Sequence, residues 1–148
     1  VVMRTLSKIG FAGLRLGYAC GHPGLMGELA KITPPYNMNQ LSLTAAKFAL
    51  GHYGWIAEKI GILKLEREKL AQGLAKLPGV RVFASEANFI TVRFPDAAAV
   101  FAELYRRGVL VKNLHGGHPY LKQCLRITVG TPEQNLYVLN VLRQFFNQ

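Results

Sequence analysis

From Trp55 to Leu77, apolar residues recur at helical spacing through Ile60, Leu63, Leu70 and Leu74, and no other run limits the possible folds as much. The spacing predicts one long amphipathic helix, ended by Pro78-Gly79. Beyond it, Val80 to Phe83 and Asn88 to Phe94 read as paired strands with Ser85-Glu86 between them. Asp96 is placed to cap a helix from Ala97 to Arg107, which Gly108 closes. Val109 to Lys112 reads as a short strand, Leu114 to Gln123 as a loop, and Leu125 to Val129 as a strand. Thr131-Pro132-Glu133-Gln134 opens the last helix, with Thr131 as cap, Pro132 at the first helical position and Gln134 set for a capping box. The order ββαββα predicts a small α+β lobe, with helices on one face of a mainly antiparallel sheet.

The first third is more punctuated. Val1 to Arg4 reads as a strand already under way, without a polar lead-in, so further sequence is expected before it. Leu14 to Cys20 is a second strand, ending at the turn signal Gly21-His22-Pro23-Gly24. Leu25 to Ile32 is a short helix stopped by Pro34-Pro35. Asn39 or Ser42 caps a helix reaching about Leu50, and Gly51 to Gly54 breaks it from the long helix.

With 148 residues, half of them hydrophobic, the chain can bury a sizeable core. A net charge of +10 raises nucleic acid or an anionic membrane as partners. The basic residues are dispersed, however. Their densest group, Lys59, Lys64, Arg67 and Lys69, is interleaved with Glu58, Glu66 and Glu68, the pattern of an exposed helix. The expectation is therefore no nucleic acid and no membrane, with compensating acid elsewhere in a longer protein. No apolar run approaches the length of a membrane span. Cys20 and Cys124 each lie in a strand-like apolar run and read as buried thiols, which suits a reducing cytoplasm.

Chemistry concentrates in Thr5-Leu6-Ser7-Lys8, followed by Gly10, Gly13, Arg15 and Gly17. A phosphate fits such a turn: Thr5 and Ser7 offer hydroxyl donors, Arg15 a bidentate cation, and the glycines close backbone approach. Lys8 would lie beside it, within reach of an aldehyde on the same ligand. On spacing alone, a surface lysine in an ordinary glycine-rich turn stays open, whereas a Walker A loop is excluded by residue order. His115 and His118 flank Gly116-Gly117 without a third ligand of suitable type nearby, so no metal site is expected.

The run Thr5 to Tyr18 resembles the cofactor-attachment segment of the fold-type I pyridoxal-phosphate (PLP) aminotransferases, most closely their histidinol-phosphate branch. The resemblance implies that Lys8 carries PLP as a Schiff base and that Thr5, Ser7 and Arg15 belong to the cofactor site, with Ser7 and Arg15 binding its phosphate. Many members have one more residue between this lysine and arginine. Cys124 to Glu133 is similar to the family's late strand-and-helix segment, which implies that Arg126 anchors the anionic end of the substrate. Branch members often carry a second arginine where Lys112 stands, and Asn88 lies in another segment similar to the family's. Pro34-Pro35-Tyr36-Asn37 resembles the family's link near its dimer interface.

The resemblance thus implies an α/β fold in three parts: residues 1–54 as the C-terminal part of the large PLP-binding domain, 55–78 as a long interdomain helix, and 79–148 as the small C-terminal domain. It also implies transamination between histidinol phosphate, or its imidazole-acetol partner, and glutamate or 2-oxoglutarate, in a cytoplasmic homodimer of histidine biosynthesis. The remaining cofactor ligands would come from upstream sequence, so this stretch alone is expected to be inactive. Two other readings stand beside it: another aminotransferase or related PLP decarboxylase, and a non-catalytic, self-associating truncation.

Overall fold

The computed structural model describes residues 1–147, which divide into two compact units, Val1–Ile60 and a second that begins at Gly61.

In the first unit, strand β1 (Val2–Thr5) pairs antiparallel with β2 (Gly17–Cys20), in a register from Val2 opposite Cys20 to Thr5 opposite Gly17. A methyl on Gly17 would fall 2.7 Å from the Arg4 carbonyl oxygen, so only glycine closes this ribbon. The expected strand from Leu14 is shortened because Ala12–Leu14 coils into a 3-10 turn and Arg15 adopts a left-handed φ of 57°, so these residues are unavailable for pairing. Helix α1 (Pro23–Lys31) starts before the expected Leu25, because His22 Nδ1 accepts the Gly24 amide hydrogen and Pro23 suits the first helical position. Asn39, and not Ser42, caps helix α2 (Gln40–Gly51): its Oδ1 accepts from the Leu41 and Ser42 amides at 2.8 and 3.3 Å. Only His52 then separates α2 from helix α3 (Tyr53–Ala75), so the break expected to run through Gly54 is shorter.

The second unit carries the main core. Strands β3 (Arg81–Val82), β4 (Phe89–Arg93), β5 (Lys112–Asn113) and β6 (Cys124–Thr128) form an antiparallel sheet in the order β3-β4-β6-β5. Ile90 opposite Ile127 and Val92 opposite Leu125 supply the buried face. Leu70 and Leu74 of α3, Val100 and Leu104 of helix α4 (Ala97–Arg106), and Val138 and Leu142 of helix α5 (Pro132–Phe146) complete that cluster. The caps are those expected: Asp96 accepts from the Ala99 amide, and Thr131 and Gln134 form a full capping box.

Three expectations in these regions are corrected. The strand placed at Val109 to Lys112 begins only at Lys112, because the Val109 amide still donates to Leu104 O at 2.8 Å and residues 109–111 complete the turn out of α4. Cys124 is buried but Cys20 is exposed, since both strands of the β1-β2 ribbon are exposed along their length. Glu66 and Arg67 are buried as well, unlike an exposed helix face, with Glu66 hydrogen-bonded to Asn135 and Arg67 to the Ala87 carbonyl. Among the described residues, no helix is long and apolar enough to cross a membrane.

Candidate cofactor and substrate site

The Thr5–Gly17 pair closes a loop holding the four residues expected to meet the cofactor. Its first half is a 3-10 turn, Leu6–Ile9, capped by Thr5: the Thr5 hydroxyl oxygen accepts the Ser7 amide hydrogen at 3.1 Å and lies 2.8 Å from the Ser7 hydroxyl. Two hydroxyls are thereby held side by side immediately before Lys8, which is exposed in the same turn. Gly10 ends the turn at φ 100°, a conformation that side chains rarely adopt. The Leu6 amide donates to Leu16 O at 3.0 Å, drawing the two ends of the loop together. Arg15 follows the second 3-10 turn, and its left-handed backbone is the kind of local strain that recurs at functional positions.

The chemistry of this loop fits PLP. It offers two hydroxyls, a primary amine and a guanidinium, and residues 5–17 contain no carboxylate to compete for an anion. Nothing lies within 4 Å of where side chains on Gly10 or Gly13 would begin, so the backbone there is open to a ligand.

The other expected residues lie in the second unit. Arg126 stands on β6 between Thr91 of β4 and Lys112 of β5 in direct register. Its guanidinium lies 5.0 Å from the Phe89 ring centroid, a cation–π contact that aims it over β4. Arg126 and Lys112 are exposed, and among the described residues neither forms a salt bridge. The register thus sets two cations side by side on neighbouring strands. Asn88 precedes Phe89, and its carbonyl accepts the Val129 amide hydrogen at 3.0 Å, which extends the β4-β6 ladder by one bond. His115 and His118 are engaged locally: the Gln123 amide donates to His115 Nδ1 and the Tyr120 amide to His118 Nδ1.

One arrangement in this unit was not anticipated. Glu66 Oε2 accepts from Asn135 Nδ2 at 3.2 Å, and Glu66 Oε1 from Lys69 Nζ at 2.8 Å. The Lys69 and Asn135 hydrogen bonds hold the Glu66 carboxyl below its ordinary range. The neighbouring Arg67 donates to Ala87 O at 3.3 Å and lies 3.5 Å from Glu86 Oε2. A signal was present in the sequence, because positions 66 and 67 fall on the helical stripe that joins Leu63 to Leu70.

Comparison with known proteins extends this geometry. The family model described as "Aminotransferase class I and II" matches residues 1–142. All 148 residues align at 60% identity with the histidinol-phosphate aminotransferase of Neisseria meningitidis serogroup B, covering 40% of that protein. Among solved structures, the histidinol-phosphate aminotransferase of Sinorhizobium meliloti in complex with pyridoxal-5'-phosphate matches with a TM-score of 0.76 at 25% identity, over 97% of this chain and 41% of that one. L-threonine-O-3-phosphate decarboxylase from Porphyromonas gingivalis matches with a TM-score of 0.83 at 26% identity, over 99% of this chain and 46% of that one. The chain therefore spans less than half the length of these relatives, and it belongs to the class I and II aminotransferase family.

Proposed function

We propose that the complete protein transfers the amino group of histidinol phosphate to 2-oxoglutarate, giving imidazole-acetol phosphate and glutamate, as a step of histidine biosynthesis. The observation that carries this reading is the hydroxyl–lysine–arginine loop at residues 5–17, in a chain whose whole length aligns with histidinol-phosphate aminotransferases. When bound, PLP supplies an aldehyde that takes up the amino group and a conjugated ring that stabilises the carbon losing its proton. Lys8 holds the cofactor through Nζ and, once released, moves the proton at the substrate carbon. Thr5, Ser7 and Arg15 bind the cofactor phosphate. Arg126 takes the substrate phosphate, with Lys112 adding a second positive charge and Asn88 lining the same end of the sheet.

In this reading residues 1–54 end the large cofactor domain, 55–78 link the domains, and 79–148 form the small domain of a cytoplasmic homodimer. In the complete protein, Lys8→Ala should abolish both the visible absorbance of the bound cofactor and turnover. Retention of either refutes the assignment.

The decarboxylase among the structural relatives favours one second reading, decarboxylation of an amino-acid phosphate. Release of carbon dioxide from O-phosphothreonine, with no amino transfer from histidinol phosphate, would select it.

A further inference from the structure

We propose that Glu66, Arg67 and Asn135 are positioning residues for Arg126, which they orient by holding the two strand ends on which its guanidinium depends. The inference rests on the role of Arg126 proposed above.

One end is the exit of β6. Asn135 Oδ1 accepts the Gly130 amide hydrogen at 2.9 Å, while its Nδ2 donates to Gly130 O and to Glu66 Oε2, both at 3.2 Å. A single side-chain amide thus grips both polar groups of Gly130 and is itself tied to a buried carboxylate of α3. A methyl on Gly130 would fall 2.5 Å from Gln134 Oε1, so the capping glutamine would have to move to admit one. Four residues earlier in the chain stands Arg126.

The other end is the start of β4. Arg67, the residue after Glu66, donates to Ala87 O and pairs with Glu86. Ala87 lies two residues before Phe89, the ring beneath the Arg126 guanidinium. Between the two grips run the last rungs of the ladder, Phe89 opposite Thr128 and the Val129 amide bonded to Asn88 O. A slip of one residue moves a strand by about 3.3 Å and turns its side chains to the other face. Such a slip would carry Phe89 out from under Arg126. Two adjacent charged residues on one helix therefore fix both strands against each other at the end where the anion is to be held. A buried charge leaves its partners unsatisfied when removed, so the grip is firm.

The test compares two amino donors in the complete protein: histidinol phosphate, and histidinol, which lacks the phosphate. Arg126→Ala should reduce the kcat/KM preference for the phosphorylated donor by about 100-fold, the scale of a charge-assisted pair lost from a site. Glu66→Leu should reduce the preference by about tenfold, through KM for histidinol phosphate, with the histidinol reaction unchanged. Glu66→Gln, which keeps an oxygen for Asn135, should restore it. If Glu66→Leu does not fold, Asn135→Ser carries the same expectation. Combined with Arg126→Ala, either change should add no further loss of preference. Equal losses for both donors, or an additive loss beside Arg126→Ala, overturn the inference. A preference that vanishes in Arg126→Ala but survives both other changes overturns it alone, whereas one that survives Arg126→Ala removes the functional reading on which it rests.

Discussion

Replacing Gly73 by alanine should destabilise the second unit, although alanine is the better helix former. Gly73 lies in α3, and a methyl added there would fall 2.6 Å from Leu139 Cδ1 and 2.8 Å from Cδ2 on α5. Carbon atoms settle at about 3.5–4.0 Å, so the leucine must retreat by about 1 Å. It has little room, being 8% exposed and packed in the cluster with Leu70, Leu74 and Leu142. Overpacking of this kind costs about 1–3 kcal/mol. Helix propensity returns about 1 kcal/mol, which leaves a net loss of about 1 kcal/mol. The sign should reverse once the obstruction is removed. In a Leu139→Ala background, itself destabilised by about 2–5 kcal/mol, Gly73→Ala should stabilise by up to about 1 kcal/mol. Urea unfolding of the four proteins, followed by far-ultraviolet circular dichroism at constant slope, measures the cycle. A coupling below about 0.5 kcal/mol would mean that the two residues act independently and the packing argument is wrong.

Further consequences can be measured in the same chain. The Glu66 carboxyl is held below its ordinary value of 4.5, first by Lys69 and then by Asn135. Its stabilisation is therefore complete above the unfolded pKa and is lost as pH falls through the lower folded one. Glu66→Gln should flatten the loss of stability below about pH 4.5, and superimposable acid limbs would contradict this. Thr131→Ala removes half of the capping box on α5 and should cost about 1 kcal/mol in urea unfolding; an unchanged midpoint would show the cap to be idle. A thiol reagent should modify Cys20 rapidly and Cys124 only on unfolding, and fast reaction of both thiols would refute the burial of Cys124.

Much of the fold was legible because its signals are local. Asn39, Asp96 and Thr131 cap helices through hydrogen bonds that span only two or three residues, and the spacing of Leu63, Leu70 and Leu74 sets the buried stripe of α3 whatever it meets. The misplaced pieces depend on distant partners. β5 begins at Lys112 because that is where β6 offers a pair, while the apolar run from Val109 gave no hint that Leu104 would claim the first amide. Cys20 lies in an apolar run like that of Cys124, but the β1-β2 ribbon leaves it uncovered. For the candidate site, the order of Thr5, Ser7, Lys8 and Arg15 was readable as donor chemistry. The Arg126–Lys112 neighbourhood needed the register, and the Glu66–Asn135 link joins positions too far apart in the chain for any motif to reveal it.

The outermost strands of the four-stranded sheet, β3 and β5, have two residues each, and each contributes a cation, Arg81 on one side and Lys112 on the other. An open sheet edge is a template on which another chain can add a strand and begin to aggregate. Here the template is only two residues long, and a second copy docking on it would bring like charges together. Short, charged margins thus protect the sheet from growing sideways while its central strands, β4 and β6, stay free to carry the Ile90–Ile127 and Val92–Leu125 pairs of the core.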